Sequence, residues 1–379
     1  MKFAASRKDL ARGIHLALRA LSARADMPVL ASVLVEAGEG PTGDDVSFTC
    51  TDLRLTITAT VPGLVAQPGV AVVPARLLAD IVDTMPEGEV ELATSGEDSV
   101  SVESAVRPVR FEVPAVRRDD YPSVSPLSRE SLPPLCTVPS DVLRDAIRQT
   151  LFACSRDQAR PHLTGVSVTV SGTEVVLAAT DGARLARRTV SLTRAASGAV
   201  EHILPAETLR EVVPILAASS GDAEIAVREG QVFILLPAIR IATGTVSGKF
   251  PDYEQVIPRR FVHVFRVHTA DLLAAVRQAS VTARDSSRVV VLDVSPGTLR
   301  IESSTPEYGR AEVHLDVRSE GEPVRAAFSG TYLAEGIAAV QTQEVEVGLT
   351  GPFTPAVVRP VGDDSYLYVA APVRLSTEE

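Results

Sequence analysis

Phe3-Ala-Ala-Ser-Arg-Lys-Asp-Leu10-Ala-Arg-Gly-Ile14, Thr137-Val-Pro-Ser-Asp-Val-Leu143-Arg-Asp-Ala-Ile147 and Phe265-Arg-Val-His-Thr-Ala-Asp-Leu272-Leu-Ala-Ala-Val276 are three versions of one pattern. Each joins an extended apolar strand to a helix start. Ser6, Ser140 and Thr269 are placed to cap the helices, and an acid follows in the first turn. Leu and Ile or Val then fall four apart on one helical face. Leu10 and Leu143 are 133 positions apart, and Leu143 and Leu272 are 129 apart.

A second pattern returns at nearly the same interval: Val72-Val-Pro-Ala-Arg-Leu-Leu-Ala-Asp-Ile81-Val82, Ile203-Leu-Pro-Ala-Glu-Thr-Leu-Arg-Glu-Val212-Val213 and Ala327-Phe-Ser-Gly-Thr-Tyr-Leu-Ala-Glu-Gly-Ile337. Pro74 and Pro205 sit where a helix begins, the one place a helix tolerates proline well. Two independent landmarks with one period mean three tandem repeats. Between the helices, Val166-Ser-Val-Thr-Val170, Val175-Val-Leu-Ala-Ala179, Val289-Val-Val-Leu-Asp-Val294 and Val345-Glu-Val-Gly-Leu349 are bounded by turn residues and read as hairpin strands. The expected fold is α+β: three tandem domains, each with two helices packed on antiparallel sheet. The expected domains are 1–131, 132–257 and 258–379, joined through the Pro- and Ser-rich Ser123–Pro134 and through Gly248–Arg260.

With 379 residues, 45% of them apolar, the chain can bury two or three cores. The N-terminus enters an amphipathic pattern without a signal-peptide apolar region, and no apolar run reaches membrane-span length. A cytoplasmic protein is expected. Cys50, Cys136 and Cys154 are widely spaced and read as buried reduced thiols.

A net charge of −11 argues against nucleic acid as a partner, but its distribution argues the other way. The first helix of each repeat, with the loop after it, is basic. Repeat one has Arg7, Lys8, Arg12, Arg19 and Arg24; repeat two has Arg144, Arg148, Arg156 and Arg160; repeat three has Arg277, Arg284 and Arg288. Those twelve cations face seven acids, in a chain where acids outnumber Lys and Arg 48 to 37. A solvated face explains one such helix; a shared anionic partner better explains three. The second helices are net acidic. Aromatics are 4% of the chain and tryptophan is absent, so no platform for stacking single-stranded bases accompanies the arginines. They point to sequence-blind phosphate contact with a duplex.

Catalytic chemistry is missing. The six histidines form no HxxxH, no GxSxG occurs, and the neighbouring acid pairs Asp44-Asp45, Asp119-Asp120 and Asp363-Asp364 lie in turn-like contexts. Gly244-Thr-Val-Ser-Gly248-Lys249-Phe250 is one residue short of a phosphate loop and lacks its metal-binding hydroxyl, so it reads as a turn into the next domain. No catalytic residue, metal or cofactor is expected.

Leu163-Thr-Gly165, Ala179-Thr-Asp-Gly-Ala-Arg-Leu-Ala186, Phe250-Pro-Asp-Tyr253 and Ala371-Pro-Val-Arg-Leu375, set in three two-helix domains, resemble the beta clamp family of bacterial DNA polymerase III. The resemblance covers essentially the whole chain. It implies a DNA-clamp fold and a head-to-tail homodimer whose six domains close into a ring around duplex DNA, helices inside. It also implies a non-catalytic processivity role. The DNA-contacting residues would be Arg7, Arg12, Arg19, Arg24, Arg144, Arg148, Arg156, Arg160, Arg277 and Arg284.

The resemblance further implies a pocket between the second and third domains for short linear motifs of the polymerase alpha subunit, clamp loader and repair proteins. Its wall would comprise Leu163, Thr180, Gly182, Arg184 and Leu185, then Pro251 and Val256, then Val369, Pro372, Val373 and Arg374, with Arg160, Tyr332 and Pro355 nearby. Leu185 and Val369 fit an ordinary core equally well. The family pattern usually has methionine where Ala371 stands, and a bulkier or basic side chain at Ala183. Losing a flexible thioether alters the cover of the pocket. The alternatives are a specialised second clamp that resists a clamp-targeting antibiotic, an enzyme with a dispersed site, and a repeat scaffold without DNA.

Overall fold

A computed structural model describes residues 1–21, 27–40, 43–96, 98–123, 132–283 and 288–374. The first repeat runs β1 (Lys2–Ser6), α1 (Arg7–Leu18), β2 (Ser32–Gly40), β3 (Gly43–Thr51), β4 (Leu55–Pro62), β5 (Leu64–Gln67), β6 (Gly69–Pro74), α2 (Ala75–Thr84), β7 (Glu89–Thr94), β8 (Ser99–Ser104) and β9 (Arg110–Pro114). The second runs β10 (Cys136–Pro139), α3 (Ser140–Leu151), β11 (Gly165–Ser171), β12 (Glu174–Thr180), β13 (Arg184–Ser191), β14 (Val200–Pro205), α4 (Ala206–Ala217), β15 (Asp222–Arg228), β16 (Gln231–Leu235) and β17 (Ile239–Gly244). The third runs β18 (His263–His268), α5 (Thr269–Ala279), β19 (Val289–Ser295), β20 (Thr298–Thr305), β21 (Gly309–Asp316), β22 (Arg318–Gly321), β23 (Val324–Ser329), α6 (Gly330–Ala338), β24 (Glu344–Leu349), β25 (Ala356–Pro360) and β26 (Tyr366–Ala370). Each repeat is one strand–helix–strands unit made twice, as the sequence predicts.

The helices form where the apolar stripe is. In α1, Leu10, Gly13, Ile14 and Ala17 are buried at helical spacing against β3 and β4. Ser6 caps it: its Oγ accepts the Asp9 N–H at 3.1 Å and donates to the Asp9 carboxylate at 2.7 Å. In α5, Leu272, Ala275, Val276 and Ala279 are buried in the same way against β20 and β21. The expected cap at Thr269 does not form. His268 is the capping position, without a side-chain bond, and Thr269 is the first helical residue. Its hydroxyl donates instead to the Thr342 carbonyl at 2.8 Å, a half-buried acceptor that outcompetes local capping.

Among the described strands every ladder is antiparallel, and the ladders form four sheets. The orders are β5-β1-β7-β8-β9, β10-β15-β16-β17-β4-β3-β2-β6, β14-β11-β12-β13-β26-β25-β24-β18-β22, and β21-β20-β19-β23. Two of these sheets are shared between repeats. β17 of the second repeat pairs with β4 of the first, and β26 of the third pairs with β13 of the second. The chain therefore packs as two compact bodies, Met1–Ser140 with Glu211–Thr245, and Asp141–Arg210 with Val246–Glu379. The central repeat contributes strands to both.

The cores are apolar and separate. In the first body Leu34, Val72 and Tyr121 cluster with Val29 and Val116; a second cluster holds Leu132, Ala226, Phe233, Leu235 and Ala242. In the second body Phe3's counterpart Phe265 is fully buried, as are Phe328, Tyr366 and Tyr368. The three cysteines are buried and free. No helix among the described residues is long and apolar enough to cross a membrane.

Candidate functional site

Eight of the ten candidate phosphate-contacting arginines lie among the described residues; Arg24 and Arg284 lie outside them. Arg7 is occupied by its own fold. Its Nε donates to the Val82 carbonyl at 3.2 Å, which also accepts the Met85 N–H, and its Nη2 donates to the Asp83 carbonyl at 2.5 Å, so the guanidinium caps the last turn of α2. Arg12 pairs with Asp9 at 3.3 Å, Arg19 with Glu211 at 3.1 Å, Arg144 with Asp145 at 2.9 Å and Arg160 with Asp157 at 3.0 Å. Arg148, Arg156 and Arg277 are exposed with no ion pair among the described residues.

A side-chain hydrogen bond from Arg144 holds the Asp145 carboxyl below the usual aspartate range. The Ala159 N–H, followed by Arg160, does the same for Asp157. The Arg160–Asp157 pair is exposed and the Arg144–Asp145 pair half-buried, so neither is strong and a phosphate can replace the carboxylate. The first helices thus carry cations that are loosely held and have no base-reading geometry.

The second candidate region lies wholly in the second body and is built on a turn. Between β12 and β13, the Thr180 Oγ1 accepts the Gly182 N–H at 3.1 Å and donates to the Arg184 carbonyl at 2.6 Å. The Asp181 Oδ1 accepts the N–H groups of Ala183 at 2.9 Å and Arg184 at 3.1 Å. Gly182 takes the left-handed region, φ +95°, which the turn requires and a side chain resists. The same Thr-Asp turn recurs between β3 and β4. There Thr51 Oγ1 accepts the Leu53 N–H at 3.0 Å, and Asp52 Oδ1 accepts those of Arg54 and Leu55 at 2.9 and 2.7 Å.

Arg184 fastens this turn to its surroundings. Its Nε donates to Asp181 Oδ2 at 3.0 Å, its Nη2 to the Phe152 carbonyl at 2.7 Å, and its Nη1 pairs with Glu335. The guanidinium lies 4.1 Å from the Tyr332 ring centroid and 5.6 Å from that of Phe152. The side chain is only 9% exposed, so it acts as a fixed strut. Tyr368 completes the support. Its hydroxyl donates to the Tyr332 carbonyl at 2.8 Å, and burial pushes that phenol well above its ordinary range. Gly336 makes room for it, because a Cβ there would collide with the Tyr368 ring.

The apolar wall follows from ladder register. Leu185 lies opposite Val369 and Arg184 opposite Ala370 across the β13–β26 pairing. Leu185 and Val369 are buried with Val357 and Leu367, and Leu163 is buried with Ala178, Ile203 and Phe250. Tyr253 packs against both clusters and links them. Leu185, Val369 and Leu163 are therefore core residues. Pro251 and Val256 are exposed, Tyr332, Pro355, Pro372 and Val373 are half-buried, and Arg374 is exposed. The Val373 N–H donates to the Ala327 carbonyl at 2.7 Å, which fixes the segment after β26. The Ala371 N–H donates to the Ala183 carbonyl at 2.8 Å, so the two residues that depart from the expected pattern touch each other.

The sequence reading missed Glu335, Phe152 and Tyr368. Only the Asp181/Arg184 spacing of three carried a signal for this network. Chemically, the region offers exposed and half-buried apolar side chains beside a rigid polar turn. That suits an extended peptide.

Comparison with known proteins agrees over the whole length. Residues 1–125, 137–252 and 254–374 match the N-terminal, central and C-terminal domains of the DNA polymerase III beta subunit. The beta sliding clamp of Synechocystis sp. is 30% identical over 397 residues, covering 99% of this chain and 100% of that protein. The crystal structure of the Bacillus subtilis DNA polymerase sliding clamp superposes with a TM-score of 0.92 at 28% identity, covering 99% of each chain. A Pseudomonas aeruginosa DnaN sliding clamp bound to griselimycin superposes at 0.89 with 26% identity, covering 99% of this chain and 100% of that one.

Proposed function

This chain belongs to the DNA polymerase III beta subunit family, and from that premise we propose that two copies join head to tail into a ring around duplex DNA. The protein is a sliding clamp, a non-catalytic subunit that confers processivity on a replicative polymerase.

The observation that carries the ring is the series of shared sheets. Within the chain, the last strand of one repeat twice pairs with the hairpin strand of the repeat before it: β17 on β4, then β26 on β13. β9 and β21 are the members of that series left at sheet edges among the described strands. An unpaired edge seeks a partner strand. A second copy supplies β21 to β9 and β9 to β21, and six repeats then close on themselves. Apolar surface awaits cover on both strands: Phe111 on β9 is 38% exposed, and Val313 and Leu315 on β21 are half-buried.

In this ring α1, α3 and α5 line the hole. Arg12, Arg19, Arg144, Arg148, Arg156, Arg160 and Arg277 attract phosphate weakly, with Arg24 and Arg284 added, while Arg7 holds α2 in place. Weak, sequence-blind contact permits sliding, and closure rather than affinity keeps the ring on DNA. The Thr180–Arg184 turn, with Leu163, Tyr332, Val369 and the Pro372–Arg374 segment, docks short linear motifs of the polymerase alpha subunit, clamp loader and repair proteins. The setting is the cytoplasm, where the chromosome is replicated. Sedimentation equilibrium tests the reading: the ring requires twice the chain mass, and a monomer at micromolar concentration contradicts it. Primer extension with cognate polymerase and loader must also give longer products when the protein is added.

A further inference from the structure

Arg160 stands where two ligands would compete for one side chain. It lies in the loop between α3 and β11, which is tied into a closed unit: Ser155 N–H donates to the Leu163 carbonyl at 2.8 Å and Leu163 N–H to the Arg160 carbonyl at 3.0 Å. The side chain is 48% exposed, and its Nε donates to Asp157 Oδ2 at 3.0 Å. Its Nη1 lies 3.4 Å from the point a Cβ would occupy on Gly182. The guanidinium therefore leans on the tip of the Thr180–Arg184 turn. The same turn is bonded to the end of α3 through Arg184 and the Phe152 carbonyl. Arg156, four residues earlier, is exposed and has no ion pair among the described residues.

We propose that Arg160 is shared between DNA and the docked peptide, so that duplex inside the ring weakens peptide binding at the pocket. The proposal rests on the reading above that this loop meets phosphate and this turn lines the pocket. With no DNA, Arg160 stays against Gly182 and adds a wall and a cationic donor to the docking site. A phosphate replaces Asp157 as its partner, because an exposed ion pair is weak, and draws the guanidinium away from the turn. Linkage makes the effect reciprocal: a docked peptide weakens the hold on DNA by the same factor. One exposed cation sets the scale at about two- to five-fold.

The test uses the full-length ring and a fluorescein-labelled copy of the clamp-docking segment of the cognate polymerase alpha subunit. Its Kd is measured on free rings and on rings loaded onto closed circular DNA, for the native chain, Arg160→Ala and Arg156→Ala. The expected result is binding about two- to five-fold weaker on DNA for the native chain and for Arg156→Ala, and no difference for Arg160→Ala. Equal affinity of the native chain in both states, or a difference that survives Arg160→Ala, overturns the proposal. Failure of the underlying reading shows elsewhere and also overturns it. If Arg160 is not at the pocket, Arg160→Ala leaves the free-ring Kd unchanged; if it does not meet phosphate, it leaves the salt dependence of DNA retention unchanged.

Discussion

Ile57 and Ile241 lie opposite each other across the ladder between β4 and β17, two strands that belong to different repeats. Both are fully buried. The junction between repeats is thus built like the interior of one sheet, with backbone bonds and an apolar row covered by helix. The same construction recurs where β13 meets β26. A seam between two chains made this way inherits its chemistry, and this drives the first expectation.

Phe111→Asp on β9 places a charge in the apolar row that the partner's β21 would cover. Desolvating an unpaired carboxylate at a seam costs several kcal/mol, so dimerisation should weaken by roughly a hundredfold or more. Sedimentation velocity should show a folded monomer with unchanged far-UV circular dichroism. A variant that remains dimeric at micromolar concentration would place the seam elsewhere.

Leu53 holds the left-handed conformation, φ 72°, in the turn whose counterpart in the second repeat uses Gly182. It is 58% exposed, so its side chain gives little in return for that strain. Leu53→Gly should raise stability by about 1 kcal/mol, read as a higher urea midpoint at unchanged slope. A lower midpoint would mean that the leucine makes a contact worth more than the strain.

Arg184→Lys keeps the charge but loses the fork that reaches Asp181, Glu335 and the Phe152 carbonyl together. The turn loosens, and affinity for client peptides should fall about tenfold, of the order lost with one or two charge-assisted bonds. Glu335→Gln should cost less, because Asp181 remains. Isothermal titration with a client peptide separates the two, and equal affinities for native and Arg184→Lys rings would remove the strut from the account.

Burial pushes the Cys136 thiol up to about 11 and the Cys154 thiol up to about 12. Raised thiols keep their protons in the folded chain after the unfolded chain has lost them. Their stabilising contribution is therefore complete below about pH 8.5, and it is lost as pH rises from there toward 11 to 12. The urea midpoint should fall between pH 8 and pH 10, and less so in Cys136→Ala. At pH 7.5 the native chain should resist a thiol reagent that labels all three cysteines after denaturation; rapid labelling of the native chain would contradict the burial.

Local features were legible in the sequence and distant ones were not. The buried face of α1, Leu10 to Ala17, follows from spacing alone, and β-prone runs bounded by turn residues mark β11 and β12 to within a residue. Nothing in β4 or β17 announces the other, because a ladder is made of backbone groups that every sequence carries. The bonds of Arg7 to α2 have no mark in the sequence, because its acceptors are 75 and 76 positions away. Glu335 lies 151 positions from Arg184, and only folding reveals the pair. Thr269 misled for a subtler reason: its hydroxyl had a better partner in Thr342 than the helix end could offer.

Retention on DNA of changing topology tests encirclement most directly. The protein is loaded with clamp loader and ATP onto a nicked circle, freed of loader by gel filtration in moderate salt, and the circle is then cut once. Rings held by topology stay on the intact circle and leave the linear product within minutes. Protein that remains on cut DNA as it does on the circle would show binding by affinity and contradict the closed ring.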